Sequence, residues 1–330
     1  MEQVLAARLT AQLLAGPPAR DPVVVVERLL AVQGQDPRGF RLAVRARSRG
    51  LTAADVDRAL TEDRSLVVTW LNRGTLHLVR SVDYPILQAV TTPPLRTASE
   101  RRLVQEGLPP RQAERGAAAI EKALGEDGPL TADELRERVA RAGVRSGGQA
   151  LYHLLFKASL EGLLVRGPMR GRKQAYVLVR DWLGEQKPVD RDAALAEMAR
   201  RYLAGHAPAT DRDLARWAGI PLRDARAGLA TGAASKGVRA SAAELPPPKL
   251  LGAFEPVLLG WTSRDDIVGD QPNLITVGGM FHPFAMVRGR AVARWRLAGG
   301  QAELEPFGRI SKADRAALAR EAEDVVRFLG

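Results

Sequence analysis

The feature that most constrains the fold of this chain is an order of elements that occurs twice, in which helices are followed by a β-hairpin. In the first copy, residues 65–71 and 75–79 have the composition of strands and flank an Asn-Arg-Gly turn. In the second copy, a helix over 149–161 precedes strands at 163–166 and 174–179. Helices followed by a hairpin are the order of a winged helix. The sequence therefore predicts tandem winged-helix units in an α+β, mostly helical protein.

Changes of composition divide the chain into four predicted units. Helical patterns return at 191–229, where Gly219 joins two short helices, and a Glu-Leu-Pro-Pro-Pro segment then marks a rigid boundary. Beyond this boundary strands are predicted at 257–261, 274–277, 284–287 and 291–295, before a C-terminal helix over 312–328. We predict a winged-helix unit at 1–90, a second with a basic wing at 91–188, a winged-helix-like third at 189–245 and a β-rich unit at 246–330.

A short segment, Gln33–Arg38, closes the first pair of predicted helices, which lie at 2–15 and 22–33. Its sequence is Gln-Gly-Gln-Asp-Pro-Arg, and both its glycine and its proline end helices. Gln33 and Gln35 are two residues apart, so they share a face where the chain is extended. We expect them to leave the helix end together as paired, uncharged amides. The alternative is that both are ordinary polar residues of a helix-ending turn.

The charge of the chain predicts a polyanionic partner. The net charge is +11, which favours nucleic acid over an anionic membrane surface, although a GC-rich coding bias would also give an arginine-rich composition. Basic residues cluster at two predicted hairpin tips, where they suit contacts to phosphates, with a solvated loop tip as the alternative reading. The predicted DNA contacts at these tips are Arg166, Arg170, Arg172 and Lys173 in the second unit and Arg288 and Arg290 in the last.

The residue types present exclude several other kinds of site. The chain has no cysteine, which rules out disulfides, thiolate nucleophiles and cysteine zinc sites. Its four histidines are scattered, and we predict neither a metal site nor a cofactor. No apolar run reaches the roughly 18 residues of a membrane span, and no signal peptide is recognisable. We expect a cytoplasmic, nucleoid-associated monomer that does not bind a membrane.

Four motifs of the chain resemble those of the winged-helix DNA-binding family that contains the AlkZ-type and YcaQ-type DNA glycosylases. The motifs are Q-x-Q-D-P-R at Gln33–Arg38, W-x-x-R-G-T-L-H-L-V at Trp70–Val79, F-x-P-x-L-L-G-W at Phe254–Trp261 and G-G-M-F-x-P-x-x-x-V-x-G-R at Gly278–Arg290. They keep the family's order over nearly the whole chain. The resemblance implies tandem winged helices around a small β-barrel, bent into a C-shaped cradle for double-stranded DNA.

The resemblance also implies a reaction. AlkZ-type members excise bulky N7-alkylated purines, including interstrand crosslinks made by genotoxic natural products, in repair or self-resistance. The YcaQ-type branch carries an aspartate in place of the second glutamine, whereas this chain has Gln35, so it is similar to the AlkZ-type branch. By this resemblance Gln33 and Gln35 are the catalytic pair. Because the motif has no lysine to form a Schiff base, we expect a monofunctional DNA glycosylase acting on alkylated purines in duplex DNA.

Other polar residues near these motifs have two possible roles each. We expect Asp36 to cap a helix or pair with an arginine, with a general base as the alternative. Arg73 is predicted to contact phosphate rather than only to satisfy its turn. His77 alternates with leucines, which favours a hydrogen-bonded structural histidine over a catalytic one. Arg38 and His282 complete the predicted DNA contacts.

Two other functions stay open at the level of sequence. A non-catalytic DNA-binding or regulatory protein on the same scaffold is favoured if the two glutamines are buried in mutual hydrogen bonds and face no cleft. A toxin-sequestering resistance protein requires a closed apolar pocket and no basic cleft.

Overall fold

The computed structural model describes residues 2–232 and 244–330, which form a mixed α+β protein that is mostly helical, as predicted. The end of the predicted third unit, at 233–243, lies outside the described residues. The helices are α1 Glu2–Ala11, α2 Pro22–Leu29, α3 Pro37–Ala46, α4 Ala53–Thr61, α5 Tyr84–Thr91, α6 Pro93–Gln105, α7 Pro110–Asp127, α8 Ala132–Arg141, α9 Ala150–Leu160, α10 Val179–Leu183, α11 Arg191–His206, α12 Asp211–Ala218, α13 Leu222–Gly232, α14 Asp265–Val268 and α15 Lys312–Leu329.

Local capping explains where several of these helices begin and end. The Asp55 carboxylate accepts a hydrogen bond from the Thr52 backbone N–H at 2.8 Å, and α4 begins directly after Thr52. Glu134 does the same for Thr131 at 2.7 Å before α8. Such reciprocal caps satisfy backbone donors that the first helical turn leaves free. Helix α12 ends at Ala218, and the following Gly219 has a φ of 72°, which lies in the left-handed region that favours glycine.

The two predicted hairpins join into one antiparallel sheet. The strands are β1 Val32–Gln33, β2 Leu66–Trp70, β3 Leu76–Arg80, β4 Leu164–Arg170, β5 Lys173–Leu178, β6 Lys249–Leu251, β7 Phe284–Val287, β8 Arg290–Ala298 and β9 Gln301–Pro306. The first sheet has the order β1-β3-β2-β4-β5, and Val68 of β2 pairs with Arg166 of β4. The first and second predicted units therefore share a sheet.

The last four strands form an open sheet in the order β6-β7-β8-β9, so the predicted β-barrel is wrong. Within the described residues β6 and β9 do not pair with each other, and α15 packs against both of them. The strands predicted at 257–261 and 274–277 are also wrong, because Pro256–Leu258 and Pro272–Leu274 form 3-10 helices. Proline fixes φ and lacks a backbone donor, which suits the start of such a turn.

Contacts between distant segments fix the position of α3, the helix that begins at Pro37, just after the two glutamines. Arg45 is buried and donates to Glu321 at 2.8 Å, to Asp324 at 2.9 Å and to the Leu250 carbonyl at 2.7 Å. A Cβ atom on Gly39 would lie only 2.5 Å from the Ala253 carbonyl oxygen, so α3 packs backbone to backbone against the C-terminal unit. The start of α3 is thereby held in a defined position.

Across the described ranges, none of the helices combines the length and the apolar character that crossing a membrane would require.

Candidate active site

A sharp turn carries the chain from α2 into the glutamine segment. The helix ends at Leu29, four residues before the predicted end, and Leu30 has φ 64° and ψ −44°. The Ala31 N–H donates to the Leu29 carbonyl at 2.8 Å, which closes a γ-turn. For a branched residue this backbone costs on the order of 1–3 kcal/mol. Burial of the Leu30 side chain offsets this cost.

Gln33 and Gln35 occupy different environments although they are close in sequence. Gln33 lies in β1 directly opposite His77 of β3, and the residue is only 7% exposed. The next residue, Gly34, donates its backbone N–H to the Leu76 carbonyl at 2.6 Å. Gln35 is exposed, at the point where the chain leaves the sheet edge. Asp36 then caps α3, because its carboxylate accepts from two backbone N–H groups at 2.8 and 3.1 Å.

A chain of hydrogen bonds connects Arg73 to both glutamines. The Arg73 Nη2 donates to Gln33 Oε1 at 3.1 Å, and Gln33 Nε2 donates to Gln35 Oε1. Because a guanidinium can only donate, its bond to Gln33 fixes which end of that amide is the oxygen. The amide nitrogen of Gln33 must then point to Gln35. Arg73 therefore sets the orientation of both amides.

Packing on two sides holds the turn that carries Arg73. The backbone of Arg73 is left-handed, with φ 57°, and its Nη1 donates to the Trp217 carbonyl at the end of α12. A Cβ atom on Gly219 would lie 2.8 Å from the Arg73 nitrogen, and one on Gly74 would lie 3.2 Å from the Phe156 ring. The turn is thus clamped between the junction of α12 with α13 and the aromatic face of α9.

The two glutamines line a cleft, which we call the glutamine cleft, with a volume of about 420 Å³. Three arginines contribute to its walls, and among the described residues no carboxylate does. Its apolar wall is formed by Leu259 and Phe281. The lining residues are Gln33, Gln35, Arg73, Thr75, Arg216, Leu259, Arg264, Gly279 and Phe281.

The arginines of the glutamine cleft act on one another electrostatically. Burial, together with the charges of Arg216 and Arg264, lowers the pKa of Arg73 to about 10. Burial and the charge of Arg216 also lower the pKa of Arg264, which lies 5.2 Å from the centre of the Phe281 ring. This pKa still lies well above 7, so Arg73 remains protonated at neutral pH. The cleft is therefore a concentration of positive charge beside two neutral amides.

His77 is a structural residue in this arrangement. It is buried, and its Nδ1 donates to the Thr75 carbonyl at 2.9 Å. Burial, and to a lesser degree the charge of Arg73, lowers the pKa of His77 to about 3. The imidazole is therefore neutral at physiological pH and stabilises the strand opposite Gln33.

The basic tip predicted between β4 and β5 lies apart from the glutamine cleft. Arg170 donates to the Pro129 carbonyl at 2.8 Å and pairs with Glu134 at 3.1 Å. Lys173 pairs with Asp133. The remaining two residues of this predicted set differ in position. Arg172 is exposed at the tip, whereas Arg166 is half-buried, 4.3 Å from the Tyr176 ring centre and 4.9 Å from that of Trp70.

The other predicted DNA contacts are also separate from the glutamine cleft. Arg288 and Arg290 line a second cleft of about 310 Å³, together with Glu2 and Asp266. Arg38 is exposed on the first turn of α3, and His282 is half-buried beside Phe281 in sequence. Of the residues predicted for the site, the glutamine cleft brings together only Gln33, Gln35 and Arg73.

Sequence reasoning missed Arg216 and Arg264. Arg216 lies on the exposed side of α12 next to buried Trp217, and Arg264 follows the motif that ends at Trp261. An arginine beside a buried tryptophan is too common a pattern to identify a site. Only the tertiary structure brings these residues to the cleft.

The arrangement can bind an anion and position water. Each glutamine Oε1 accepts one hydrogen bond within the chain of bonds and keeps a lone pair that a water molecule could use. Within residues 2–232 and 244–330, no cluster of His, Cys, Asp and Glu has the number of groups needed to hold a metal ion.

Comparisons with known proteins agree over nearly the full length of the chain. A sequence model described as DNA glycosylase AlkZ-like matches residues 26–328. The chain is 29% identical to an interstrand DNA cross-link repair glycosylase of Streptomyces sahachiroi, over 99% of this chain and 96% of that protein. Its fold is similar to the solved structure of the Streptomyces sahachiroi DNA glycosylase AlkZ, with a TM-score of 0.76, 25% identity and coverage of 99% and 96% of the two chains.

Proposed function

The chain belongs to the AlkZ-like DNA glycosylase family, and from this premise we propose that it hydrolyses the N-glycosidic bond of bulky N7-alkylated purines in duplex DNA. The family makes it a DNA glycosylase that acts on DNA. The substrate class and the catalytic assignment of Gln33 and Gln35 are our proposal. The observation that carries it is the oriented pair of amides at the wall of an arginine-lined cleft.

The substrate supplies part of the activation. A purine alkylated at N7 already carries a positive charge, so it leaves readily and a strong general acid is unnecessary. What the enzyme must add is a positioned water molecule and stabilisation of the oxocarbenium character that develops on the sugar. Amide oxygens can do both without the desolvation cost of a buried carboxylate.

The two glutamines divide this work between them. Gln35 is exposed and lies at the outer end of the hydrogen-bond chain, so it is the amide that meets the sugar and the attacking water. Gln33 is buried and holds Gln35 in register through its Nε2. Positioning of this kind can supply several kcal/mol of the barrier reduction. Among the described residues no lysine lines the cleft, which supports hydrolysis without a Schiff base and thus a monofunctional enzyme.

The rest of the chain is proposed to hold the duplex. We propose that the hairpin between β4 and β5 acts as a wing on the DNA backbone, within a C-shaped cradle formed by the winged-helix units. The relative from Streptomyces sahachiroi is named for interstrand cross-link repair, so crosslinked purines are candidate substrates here as well. From that substrate class we infer a role in the repair of DNA damaged by a genotoxic natural product, or in self-resistance to such a product.

The two alternative functions raised by the sequence fit this site less well. A non-catalytic protein would be favoured by glutamines that are buried in mutual hydrogen bonds and face no cleft. Gln33 does donate to Gln35, but Gln35 is exposed and both residues line a cleft. A toxin-sequestering protein requires an apolar pocket without basic groups, and the cleft carries three arginines.

A panel of duplexes with N7-alkylguanines, from methyl to bulky and crosslinked adducts, tests the proposal. We expect wild-type protein to release the intact modified base, detected by mass spectrometry, and to leave abasic sites that alkali cleaves. Gln35→Ala should abolish release, and Gln33→Ala should reduce it strongly. The proposal is overturned if no duplex of the panel yields free base above buffer, or if both variants behave as wild type does.

A further inference from the structure

We propose that Arg216 and Arg264, with Arg73 behind them, form a binding site for a backbone phosphate of the DNA strand that carries the target nucleotide. This inference rests on the function proposed above and names the group that the arginines of the glutamine cleft recognise. The phosphate would sit beside Gln35, so that the strand is held where the amides can reach the sugar.

The first argument is that these arginines lack the partners that arginines elsewhere in the chain have. Arg80 pairs with Glu27 and Asp83 at 2.7 Å each, and Arg45 pairs with two carboxylates of α15. By contrast, neither Arg216 nor Arg264 forms an ion pair within 4.0 Å with any carboxylate of the described residues, and the adjacent Asp265 offsets only part of the charge of Arg264. Positive charges that are brought together with so little opposite charge are stabilised when an anion binds between them.

The second argument comes from the position of the side chains. Arg216 projects from α12 and Arg264 lies at the start of α14, so two separate elements deliver their charges to one cleft. Arg264 stacks on Phe281, which limits its freedom and leaves its N–H groups for an acceptor. Leu259 and Phe281 provide an apolar wall of the kind that suits the carbon face of a sugar.

The third argument comes from the reaction itself. Positive charge develops on the sugar as the base leaves, and three guanidinium groups in the same cleft would oppose this charge. The conflict becomes smaller if a backbone phosphate of the substrate, which carries one negative charge, offsets part of this positive charge before the reaction begins. Binding of the strand would then both place the sugar and reduce the electrostatic penalty on its cleavage.

The first experiment measures binding without catalysis. Wild-type protein, Arg216→Ala and Arg264→Ala are titrated against a duplex that contains a tetrahydrofuran abasic analogue, over a series of salt concentrations. Each contact to phosphate releases a counterion, so the slope of the log of the association constant against log salt, which is negative, should become less steep by roughly 0.9 in each variant. Arg320→Ala is the matched control, because Arg320 is exposed on α15 and does not line the cleft. Its slope should equal that of wild type.

The second experiment identifies the phosphate. A neutral methylphosphonate replaces, one at a time, the phosphates that flank the abasic analogue. We expect wild-type affinity to fall about tenfold at one or two positions, as for loss of a contact to a charged group. The same replacement should have no further effect in Arg216→Ala or Arg264→Ala, because arginine and phosphate charge form one interaction.

Three outcomes would overturn the phosphate site. The first is a wild-type affinity that no flanking methylphosphonate changes. The second is that the arginine substitution and the methylphosphonate weaken binding additively. The third is an unchanged salt slope in both variants, which would instead point to contacts with base edges. The proposed function fails separately, when wild-type protein releases no base from the panel of alkylated duplexes, and these binding measurements do not depend on that result.

Discussion

The two hairpins of the five-stranded sheet carry similar basic turns but present them to different environments. Arg73, in the turn between β2 and β3, is half-buried and donates to the Gln33 amide and to the Trp217 carbonyl. Arg170 and Lys173, at the turn between β4 and β5, are exposed and pair with carboxylates at the start of α8.

The difference shows that the acceptor opposite an arginine decides what the arginine does. Opposite a neutral amide it orients that amide and keeps its full charge in the site. Opposite an exposed carboxylate it forms an ion pair that contributes little to stability and is screened by salt. Both turns look equally suited to phosphate in the sequence, and only their surroundings separate them.

Among changes to the two turns, the largest effect is expected from Arg73→Ala. Without the guanidinium the Gln33 amide can rotate, so the pair loses its orientation, and a misplacement of this kind can cost about 100-fold in rate. The measurement is the single-turnover rate of base release from an N7-alkylguanine duplex. Arg73→Lys should recover only part of the rate, because an ammonium cannot donate to Gln33 and Trp217 as a planar fork does.

The control for this variant is Arg170→Ala on the other hairpin. Its ion pair is exposed, so release should fall by no more than about threefold. Equal losses in Arg73→Ala and Arg170→Ala would show that the two turns have the same role.

Two glycines offer the next largest contrast. Gly219→Ala places a Cβ atom 2.8 Å from the Arg73 nitrogen at a φ of +72°, whereas Gly171→Ala, at a φ of +61°, meets no atom of the described residues within 4 Å. We expect Gly219→Ala to lower the free energy of unfolding by about 2–3 kcal/mol, and Gly171→Ala by about 1 kcal/mol from backbone strain alone. Urea unfolding measures both values. Base release by the folded protein should fall only for Gly219→Ala. Equal release by the two variants would show that packing of the α12 junction against Arg73 does not affect catalysis.

Lowering the pH should reduce the local stability of the β2–β3 hairpin more than that of the β4–β5 hairpin. The pKa of His77 is lowered to about 3 in the fold, against an ordinary value of 6.5, so the unfolded chain binds the proton more readily. The stability that neutral His77 contributes is therefore complete above pH 6.5 and is lost as the pH falls toward 3. We expect hydrogen-exchange protection factors of β3 to drop between pH 7 and pH 4 more than those of β5, a strand without histidine.

The histidine variant is the control for this expectation. In His77→Gln the difference between β3 and β5 should become smaller, because the group that titrates is absent. An undiminished difference would assign the acid sensitivity to other groups.

A smaller effect is expected from removing the carboxylates that pair with the basic turn between β4 and β5. Asp133→Asn combined with Glu134→Gln removes the carboxylates that pair with Lys173 and Arg170. If this turn faces DNA, affinity for an undamaged duplex should rise by about threefold, with a steeper dependence on salt. Fluorescence anisotropy at low and moderate salt measures both. Unchanged affinity would show that the tip does not reach the DNA backbone.

The smallest effect is expected at the residue between the two glutamines. A Cβ atom on Gly34 would have its nearest contacts at 3.4 Å, to the Leu78 nitrogen and a Val68 methyl group, which is ordinary van der Waals distance. Gly34→Ala should therefore keep base release within about twofold of wild type and change stability by less than about 0.5 kcal/mol. A large loss would mean that the substrate itself approaches the Gly34 backbone.

The parts of the fold that local rules control were predictable. The cap formed by Thr52 and Asp55 and the strand–turn–strand around Asn72–Gly74 follow from side chains that act within a few residues. The hairpin at Arg288-Gly289-Arg290 turns as predicted, with φ of 49° and 75° at its first two residues. In each case the residues that determine the local conformation lie within the segment that adopts it.

The parts that depend on distant contacts were not predictable. The end of α2 is set by a left-handed Leu30, a conformation that a branched residue adopts only when its surroundings force it. The pairing of Val68 with Arg166 joins segments almost a hundred residues apart, and no pattern in either strand specifies it. Arg216 and Arg264 reach the glutamine cleft for the same reason, through packing rather than through a motif.

The anchoring of Arg45 has a consequence for the order in which the protein can form during its synthesis. Arg45 and its partner Glu321 are 276 residues apart. At about 5–20 residues per second, α3 would leave the ribosome roughly 14–55 s before the helix that neutralises its arginine. Until then, burying α3 would leave that charge unpaired, which is strongly unfavourable. The helix that Asp36 caps can therefore dock only once translation has delivered α15, and catalytic competence should be among the last properties that a nascent chain acquires.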